Sequence, residues 1–269
     1  MERYQVILAY DGSDFKGFQR QPNNRSVQGE VETALHKLNW SGKSILAAGR
    51  TDTGTHATGQ VIAFDLEWDH EPHELQQALN HYLPSDVVAK EVKRVCASFH
   101  PRYDARWRKY LYRIYCQPVR EPLFEPYAWR VWPPLDQSAL DEAAHSLIGT
   151  YDFGAFGTPL QPGGTTVRQV LDAGWKQEQP YLKFEIKAWA FLYHMVRRLV
   201  FTQVMIAQGR LNISDLLQVL KNGASKREAV MEEVNHPKTM VHGLAPAKGL
   251  ILAEVYYPPE AVRLDEDTE

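Results

Sequence analysis

The order of patterned segments along the first hundred residues constrains the fold of this chain most strongly. Residues 3–10 alternate between apolar and polar side chains, which predicts a strand, and the turn signal YDG closes it. Ser26 fits a helix N-cap, and apolar residues follow it at helical spacing: Val27, Val31, Leu35 and Leu38. The chain is therefore expected to begin with a strand and then a helix.

Four further segments complete this first pattern. SILAA and GQVIAFDL are short apolar runs that predict two strands on either side of a polar loop. EPHELQQALNHYL predicts a helix with Pro72 in its first turn, and residues 87–95 predict another strand. The resulting order is β-α-β-β-α-β, which is that of a ferredoxin-like split βαβ unit.

The second half of the chain mixes strands and helices without strict alternation. Strands are predicted in KYLYRIYCQ (109–117), VRQVLDAGWKQ, YLKFEIKAWAF and GLILAEVYY (249–257). Helices are predicted from Asp136 to about Ile148 with Gly149 as the stop, from about Tyr193 to Gln208, and from Ser214. This mixture favours an α+β class with a largely antiparallel sheet.

The length of 269 residues fits two domains of ordinary size. We predict an N-terminal domain at 1–104, a C-terminal α+β domain at 105–260 and an acidic tail at 261–269. The net charge of −3 excludes no class of partner, but the charge is unevenly distributed. Residues 90–120 contain nine Lys or Arg and two acids, with aromatic residues interleaved. This stretch is either a solvated face or a site for a polyanion such as RNA.

The longest apolar region, FLYHMVRRLVFTQVMIA, carries Arg197 and Arg198 in its middle, which a membrane span would not tolerate cheaply. No signal peptide is visible, and Cys96 and Cys116 form no ligand pattern. We therefore expect a soluble, cytoplasmic protein with reduced thiols and no membrane partner.

Asp52 lies in GRTDTGTH, a glycine-bracketed loop between two apolar segments, two residues after Arg50. It is either a turn-forming acid or a functional carboxylate. Three features favour function. Arg50 is close, nearby threonines and His56 can satisfy the loop backbone, and no calcium-loop pattern follows. An ionised, oriented carboxylate acts as a nucleophile or a base.

A partner cation for Asp52 is sought in the predicted helix that contains Arg197 and Arg198. At helical spacing, Arg197 shares its face with apolar residues, whereas Arg198 lies on a mixed stripe. Arg197 is therefore the one expected to turn inward, where it needs an anion, unless both arginines extend from a surface helix. Tyr110 lies on a strand among basic residues and either packs in the core or stacks on a base.

Two motif-like stretches fit their usual functions poorly. SGKS at 41–44 lacks the upstream glycine of a phosphate loop, and a predicted strand follows it instead of a helix. In HEPHE at 70–74, Pro72 keeps the two histidines from sharing a helix face at a ligand spacing, so we expect a helix cap and no metal site.

The chain resembles the tRNA pseudouridine synthase A family through blocks in the family's order. These blocks are YDGSDFKGFQRQPNNRSVQGEVETAL, GRTDTGTHATGQV, KYLYRIY, FLYHMVRRLV and APAKGLIL. The family's loop usually reads GRTDAGVHA, so Thr53 and Thr55 replace Ala and Val here. Phe18 stands where Trp is common, and Arg198 stands where Asn is common. None of these departures removes a functional group.

The resemblance implies a role for each of five residues. Asp52 becomes the nucleophile, Arg197 its paired cation, Tyr110 the ring stacked on the target uracil, Leu250 an apolar wall of the uracil pocket, and Arg50 the residue that holds or replaces the displaced nucleotide. The family fold has two ferredoxin-like halves joined into one long, mainly antiparallel sheet with a central catalytic cleft. The resemblance also implies a homodimer, a tRNA substrate, no metal and no organic cofactor.

The implied activity is the isomerisation of uridine to pseudouridine at positions 38–40 of the tRNA anticodon stem-loop. An ionised Asp52 can attack C1′, add to C6, or remove the 2′ proton to give a glycal, and the sequence does not choose among these routes. Two other hypotheses remain. A non-catalytic RNA-binding protein of ferredoxin-like fold would not need Asp52. A metal-dependent hydrolase would need a histidine ligand spacing that the sequence lacks.

Overall fold

The computed structural model describes residues 1–222 and 243–263, and the chain forms two compact units. The first unit comprises Met1–Arg108 with the described part of Ile251–Glu269, and the second comprises the described part of Lys109–Leu250. Most of the predicted acidic tail, from residue 264 onward, lies outside the described residues. The predicted domain bounds stay a prediction.

The first unit contains the predicted β-α-β-β-α-β order. Its elements are β1 (Glu2–Tyr10), α1 (Val27–Lys37), β2 (Leu46–Ala47), β3 (His56–Leu66), α2 (Pro72–Tyr82) and β4 (Val87–Val95). Strand β1 is central and pairs antiparallel with both β3 and β4, and β2 pairs antiparallel with β3. The last strand of the chain, β10 (Leu250–Tyr256), adds a short parallel pairing to β3 through Ile251 and Leu252.

Local sequence signals explain how the first unit forms. In β1 the side chains of Tyr4, Val6 and Leu8 are buried, as the period of two predicts. Helix α1 begins where Ser26 adopts an extended backbone and its Oγ accepts a hydrogen bond from the Gly29 N–H at 3.3 Å. Burying a large apolar side chain stabilises the fold by roughly 1.5–3 kcal/mol, so these faces fix the register of β1 and α1 on the core.

The second unit is built on a second, mainly antiparallel set of strands. Its elements are β5 (Trp107–Tyr115), β6 (Trp129–Arg130), α3 (Gln137–His145), β7 (Gly149–Asp152), β8 (Val167–Glu178), β9 (Tyr181–Ala188), α4 (Met195–Ala207) and α5 (Ile213–Asn222). The strand order is β5-β9-β8-β7, with β6 added beside β5. One hydrophobic core includes Tyr112, Phe184 and Leu199, all nearly inaccessible to solvent. The predicted mixed class with a mainly antiparallel sheet is confirmed.

Some predicted boundaries are wrong. Helix α3 ends at His145 instead of about Ile148, because Leu147 and Ile148 donate to carbonyls three residues back in a tightened last turn. Gly149, with φ of +131°, then opens β7 instead of simply ending the helix. The short strands β6 and β7 were not predicted, since two to four residues are too few to display a period.

Helix α4 begins at Met195, two residues later than predicted, because His194 has the left-handed φ of +66°. It ends at Ala207, one residue before the predicted Gln208, and Gly209 follows with φ of +66° as the predicted stop. Helix α5 begins at Ile213, one residue before the predicted start. Among residues 1–222 and 243–263, no helix combines the length and apolar character that crossing a bilayer requires.

Candidate active site

The residues predicted to be functional are divided between the two units. The first unit carries Arg50, which is exposed, and Asp52, which is half-buried. The second unit carries Tyr110, Arg197 and Leu250. Each group is described within its own unit.

Asp52 lies on the connection between β2 and β3, residues 48–55, which we call the Asp52 loop. A tight turn shapes it, because the Thr55 N–H donates to the Asp52 carbonyl at 3.1 Å and Gly54 has φ of +76°. The preceding loop also contacts it, since the Phe18 N–H donates to the Thr51 carbonyl at 3.1 Å. The backbone on both sides of the carboxylate is therefore fixed.

Two glycines of the first block allow this close approach between loops. A Cβ on Gly12 would lie 2.1 Å from the Thr55 carbonyl oxygen, which no side chain permits. Gly17 has φ of +96°, and a Cβ there would lie 3.0 Å from the Thr51 carbonyl oxygen. The Gly12 N–H in turn donates to Nδ1 of the buried His56 at 3.0 Å. The first block thus supports the Asp52 loop.

Side chains from outside the Asp52 loop bind its entry. The Arg108 Nη2 donates to the Ala48 carbonyl at 3.2 Å, and the Gln60 Nε2 donates to the Gly49 carbonyl at 2.9 Å. Gln60 is fully buried. Two consecutive carbonyls before Arg50 are therefore satisfied by side chains that the chain brings from elsewhere.

The threonines of the loop differ in their hydrogen bonding. The hydroxyls of Thr51 and Tyr10 share a hydrogen bond at 2.8 Å, and both residues are buried. The Thr55 hydroxyl is also buried, with the residue 2% exposed, but has no partner among the residues that the structure describes. Thr55 is one of the positions where the sequence departs from the family's usual loop.

In the second unit, Arg197 contacts the segment that leads into β10. Its Nε donates to the Ala245 carbonyl at 2.7 Å, and the Ala245 N–H donates to the Arg197 carbonyl at 3.3 Å. Arg197 and Arg198 are both half-buried, so burial alone does not distinguish the two. The bond to Ala245 holds the Arg197 guanidinium against residues 245–250, which we call the Leu250 segment.

Tyr112 fixes the next carbonyl of the Leu250 segment. Its hydroxyl donates to the Pro246 carbonyl at 2.7 Å. Burial raises the pKa of Tyr112 far above its ordinary value, against a smaller lowering by the Arg197 charge, so the hydroxyl stays a proton donor at neutral pH. A Cβ on Gly249 would lie 2.6 Å from the Tyr112 ring, so the segment lies directly on this tyrosine.

Tyr110 and Leu250 both contact the core of the second unit. Leu250 is 7% exposed and belongs to the buried hydrophobic cluster, while Tyr110 packs on the edge of that cluster. The Tyr110 ring meets Phe191 edge to face, with centroids 4.9 Å apart and planes at 85°. Within the second unit, one apolar cluster therefore supports both residues.

The basic stretch at 90–120 is partly used for internal contacts. Arg94 binds the Glu2 carboxylate at 2.9 Å, Lys90 donates to the Thr58 carbonyl at 3.3 Å, and Arg108 binds two carbonyls. Arg102 lies 5.9 Å from the ring of Tyr103, which is 72% exposed. The stretch is therefore neither purely a solvated face nor purely a polyanion site.

The HEPHE stretch forms the expected helix cap. The Glu71 N–H donates to the Glu74 carboxylate at 3.0 Å, and Pro72 begins α2. Within residues 1–222 and 243–263, no group of three or more His, Cys, Asp or Glu residues is arranged to bind a metal.

Sequence reasoning missed five residues that support the Asp52 loop: Tyr10, Gly12, Gly17, Gln60 and Arg108. The two closely spaced glycines in YDGSDFKG were a visible signal, since close backbone approach requires them. Gln60 interrupts an otherwise apolar strand, which is a weaker signal of a buried polar contact. Arg108 was counted in the basic stretch that was expected to be either a solvated face or a polyanion site, and nothing in the local sequence indicated its contact with Ala48.

Comparison with known proteins agrees with this architecture. A family model described as tRNA pseudouridine synthase matches residues 6–104 and 143–258. A protein named tRNA pseudouridine synthase A from Brevibacillus brevis is 37% identical over 257 residues, which cover 96% of this chain and 100% of the relative. Proteins of the same name from Geobacter sp. (strain M21) and Acetivibrio thermocellus are 33% and 34% identical, with 96% of this chain and 100% of each relative covered.

The mixed fold with its mainly antiparallel sheet is consistent with a pseudouridine synthase, which is an isomerase. The chain belongs to the tRNA pseudouridine synthase family. The resemblance stated from the sequence blocks and the prediction of an isomerase are therefore confirmed.

Proposed function

We propose that this chain converts uridine to pseudouridine at positions 38–40 of the tRNA anticodon stem-loop, with Asp52 as the nucleophile. The observation that carries the proposal is the Asp52 loop. A half-buried carboxylate stands on a backbone that hydrogen bonds fix on both sides. The full-length relatives named tRNA pseudouridine synthase A support tRNA as the substrate.

The reaction explains why an oriented carboxylate is needed. The N1–C1′ bond breaks, the uracil rotates, a C5–C1′ bond forms, and the C5 proton is lost while N1 gains one. Nothing is oxidised or hydrolysed overall, so the expectation of no cofactor follows from the chemistry. Asp52 either attacks C1′, adds to C6 or removes the 2′ proton, and each of these routes requires its ionised form.

Arg197 is proposed as the cation that keeps Asp52 ionised. An ionised carboxylate in a water-poor pocket is costly unless a cation pairs with it. The Arg197 Nε bond to the Ala245 carbonyl supports this role, because it limits the orientations that the guanidinium can adopt. A flexible lysine would lack that orientation.

The remaining residues are proposed to hold the extruded nucleotide. Flipping a base out of its stack costs a few kcal/mol, and stacking on one aromatic ring returns about 1–3 kcal/mol. Tyr110 would provide that ring, Leu250 an apolar wall for the uracil, and Arg50 a contact to the displaced strand. The exposure of Arg50 suits this last role.

Phosphate binding is proposed for the cations of the basic stretch that lie beside exposed aromatic rings. Arg102 with the exposed Tyr103 is such a pair, and Arg120 is also exposed. A cytoplasmic location and a homodimer remain predictions from the sequence and the resemblance. Gel filtration with light scattering tests the homodimer.

The proposal is tested with unmodified tRNA transcripts that carry tritium at uridine C5. Formation of the C5–C1′ bond releases this tritium to water, so released label counts turnovers. We expect one equivalent of label from each target uridine at 38, 39 or 40. A transcript with cytidine at all three positions, and with stem pairing restored, is the control and should release none.

Two results would contradict the proposal. Undiminished release from the cytidine control would place the target elsewhere in the tRNA. Binding of every transcript with no release from any would favour the non-catalytic RNA-binding alternative.

A further inference from the structure

Arg108 contacts two separate backbone segments within the first unit. It lies at the start of β5, and its Nη2 donates to the Arg102 carbonyl at 2.7 Å and to the Ala48 carbonyl at 3.2 Å. One terminal guanidinium nitrogen carries two hydrogens, so both bonds can form together. Arg108 therefore connects the turn at 100–106 to the entry of the Asp52 loop.

The Ala48 carbonyl is a sensitive point for the loop. Ala48 is 3% exposed, and its N–H donates to the Val61 carbonyl at 2.8 Å, which attaches it to β3. The next carbonyl, that of Gly49, is bound by the buried Gln60. With both carbonyls bound, the peptide planes before Arg50 cannot rotate, and the direction in which the chain enters Asp52 is set.

We propose that Arg108 is a positioning residue for Asp52 and not one of the phosphate ligands of the basic stretch. The inference rests on the proposed function, since it concerns the geometry of the proposed nucleophile. Ala48 lies only four residues before Asp52, so loss of the Arg108 hydrogen bond to its carbonyl lets the start of the loop shift. Displacing a reacting group by about 1 Å can cost roughly 10²-fold in rate.

The test separates the rate of the chemical step from the affinity for tRNA. With saturating tRNA in a single turnover, we expect Arg108→Met to release tritium about 10²-fold more slowly than the original protein. The dissociation constant for tRNA, and its dependence on salt, should stay nearly unchanged. Arg108→Lys should recover part of the rate, and millimolar guanidinium ion should partly rescue Arg108→Met.

Arg130 offers a matched control in the second unit. Its Nη1 also donates to two carbonyls, those of Gln117 and Pro118, at 3.2 and 3.0 Å, and the residue is exposed. Arg130→Met also removes a guanidinium that binds two carbonyls, but from a turn in the second unit, and it should leave the single-turnover rate unchanged. Guanidinium ion should have no effect on it.

The opposite pattern would overturn the proposal. If Arg108→Met binds tRNA more weakly, lowers the salt slope by about one and keeps its rate at saturation, Arg108 is a phosphate ligand. If neither lysine nor guanidinium ion restores any rate, its role is only structural. An original protein that is inactive on every transcript would refute the proposed function instead, whatever Arg108 does.

Discussion

The Asp52 loop and the Leu250 segment, each within its own unit, are held by the same kind of hydrogen bonding. In each, two consecutive carbonyls accept from two side chains brought from elsewhere, one of them an arginine. Ala48 and Gly49 are bound by Arg108 and Gln60, whereas Ala245 and Pro246 are bound by Arg197 and Tyr112. In each case the two bound carbonyls precede a residue that we propose to be functional.

The two regions differ in the residues that come after the bound carbonyls. The Asp52 loop continues through glycine and threonine to a half-buried carboxylate and is fixed by hydrogen bonds. The Leu250 segment continues into a short 3-10 turn and a leucine within an apolar cluster. Apolar packing cannot orient an ionised group, because desolvation without a partner is too costly. A reactive carboxylate therefore needs hydrogen bonds that orient it, whereas the wall of a pocket needs apolar packing.

Among the variants that test this comparison, the largest effect is expected at Arg197, which binds the Leu250 segment and is also the proposed cation of the chemistry. Arg197→Leu removes the proposed cation. Loss of one partner of a desolvated ion pair costs about 3–5 kcal/mol, which corresponds to roughly 10²–10⁴-fold in rate if the proposed pairing with Asp52 holds. Single-turnover tritium release measures this loss. Arg197→Lys keeps the charge but not the Nε donor to Ala245, so it isolates the part that depends on orientation.

Arg198→Leu is the matched control for Arg197→Leu. Arg198 is equally half-buried on the same helix turn, yet it has no proposed role in the chemistry. We expect a much smaller loss of rate. Equal losses in the two variants would show that the assignment of the inner arginine is wrong.

A smaller effect separates two threonines of the Asp52 loop. Thr55→Val removes a buried hydroxyl that has no partner among the described residues, so we expect stabilisation by about 1 kcal/mol. Thr51→Val removes the hydroxyl that pairs with Tyr10 and should destabilise by about 1 kcal/mol. Urea midpoints of the two variants measure the difference.

The two substitutions are expected to change the free energy of unfolding in opposite directions. Both substitutions keep the side-chain shape, and both residues are buried in the same loop. If Thr55→Val destabilises the protein as much as Thr51→Val does, the Thr55 hydroxyl forms a hydrogen bond that stabilises the loop, and the prediction is wrong.

Much of the first unit was predictable because its signals are local. The Ser26 cap, the apolar stripe of α1 and the alternation of β1 each depend on neighbours within a few residues. The start of α4 was not predictable, since the left-handed backbone at His194 leaves no mark in the periodicity. β7 was missed because its four residues, Gly149–Asp152, are too few to show alternation.

The site was predictable only in part for a similar reason. Sequence patterns and the family resemblance indicated both Asp52 and Arg197. Asp52 is an acid close to an arginine in a glycine-bracketed loop, and Arg197 is a charge on the apolar face of a predicted helix. The ties to the loop come from Gln60, eleven residues after Gly49, and from Arg108, sixty residues after Ala48. No local rule connects residues at such separations, so only the folded chain shows these contacts.

The central claim is that the carboxylate of Asp52 carries out the chemistry. Asp52→Asn keeps the size of the side chain while it removes the negative charge and replaces one acceptor oxygen by an NH₂ group, so the variant should fold and bind tRNA as before. We predict that its single-turnover tritium release falls by at least about 10⁴-fold, as losses of catalytic groups typically do. Release within tenfold of the original protein would contradict the account and leave the residue a turn-forming acid.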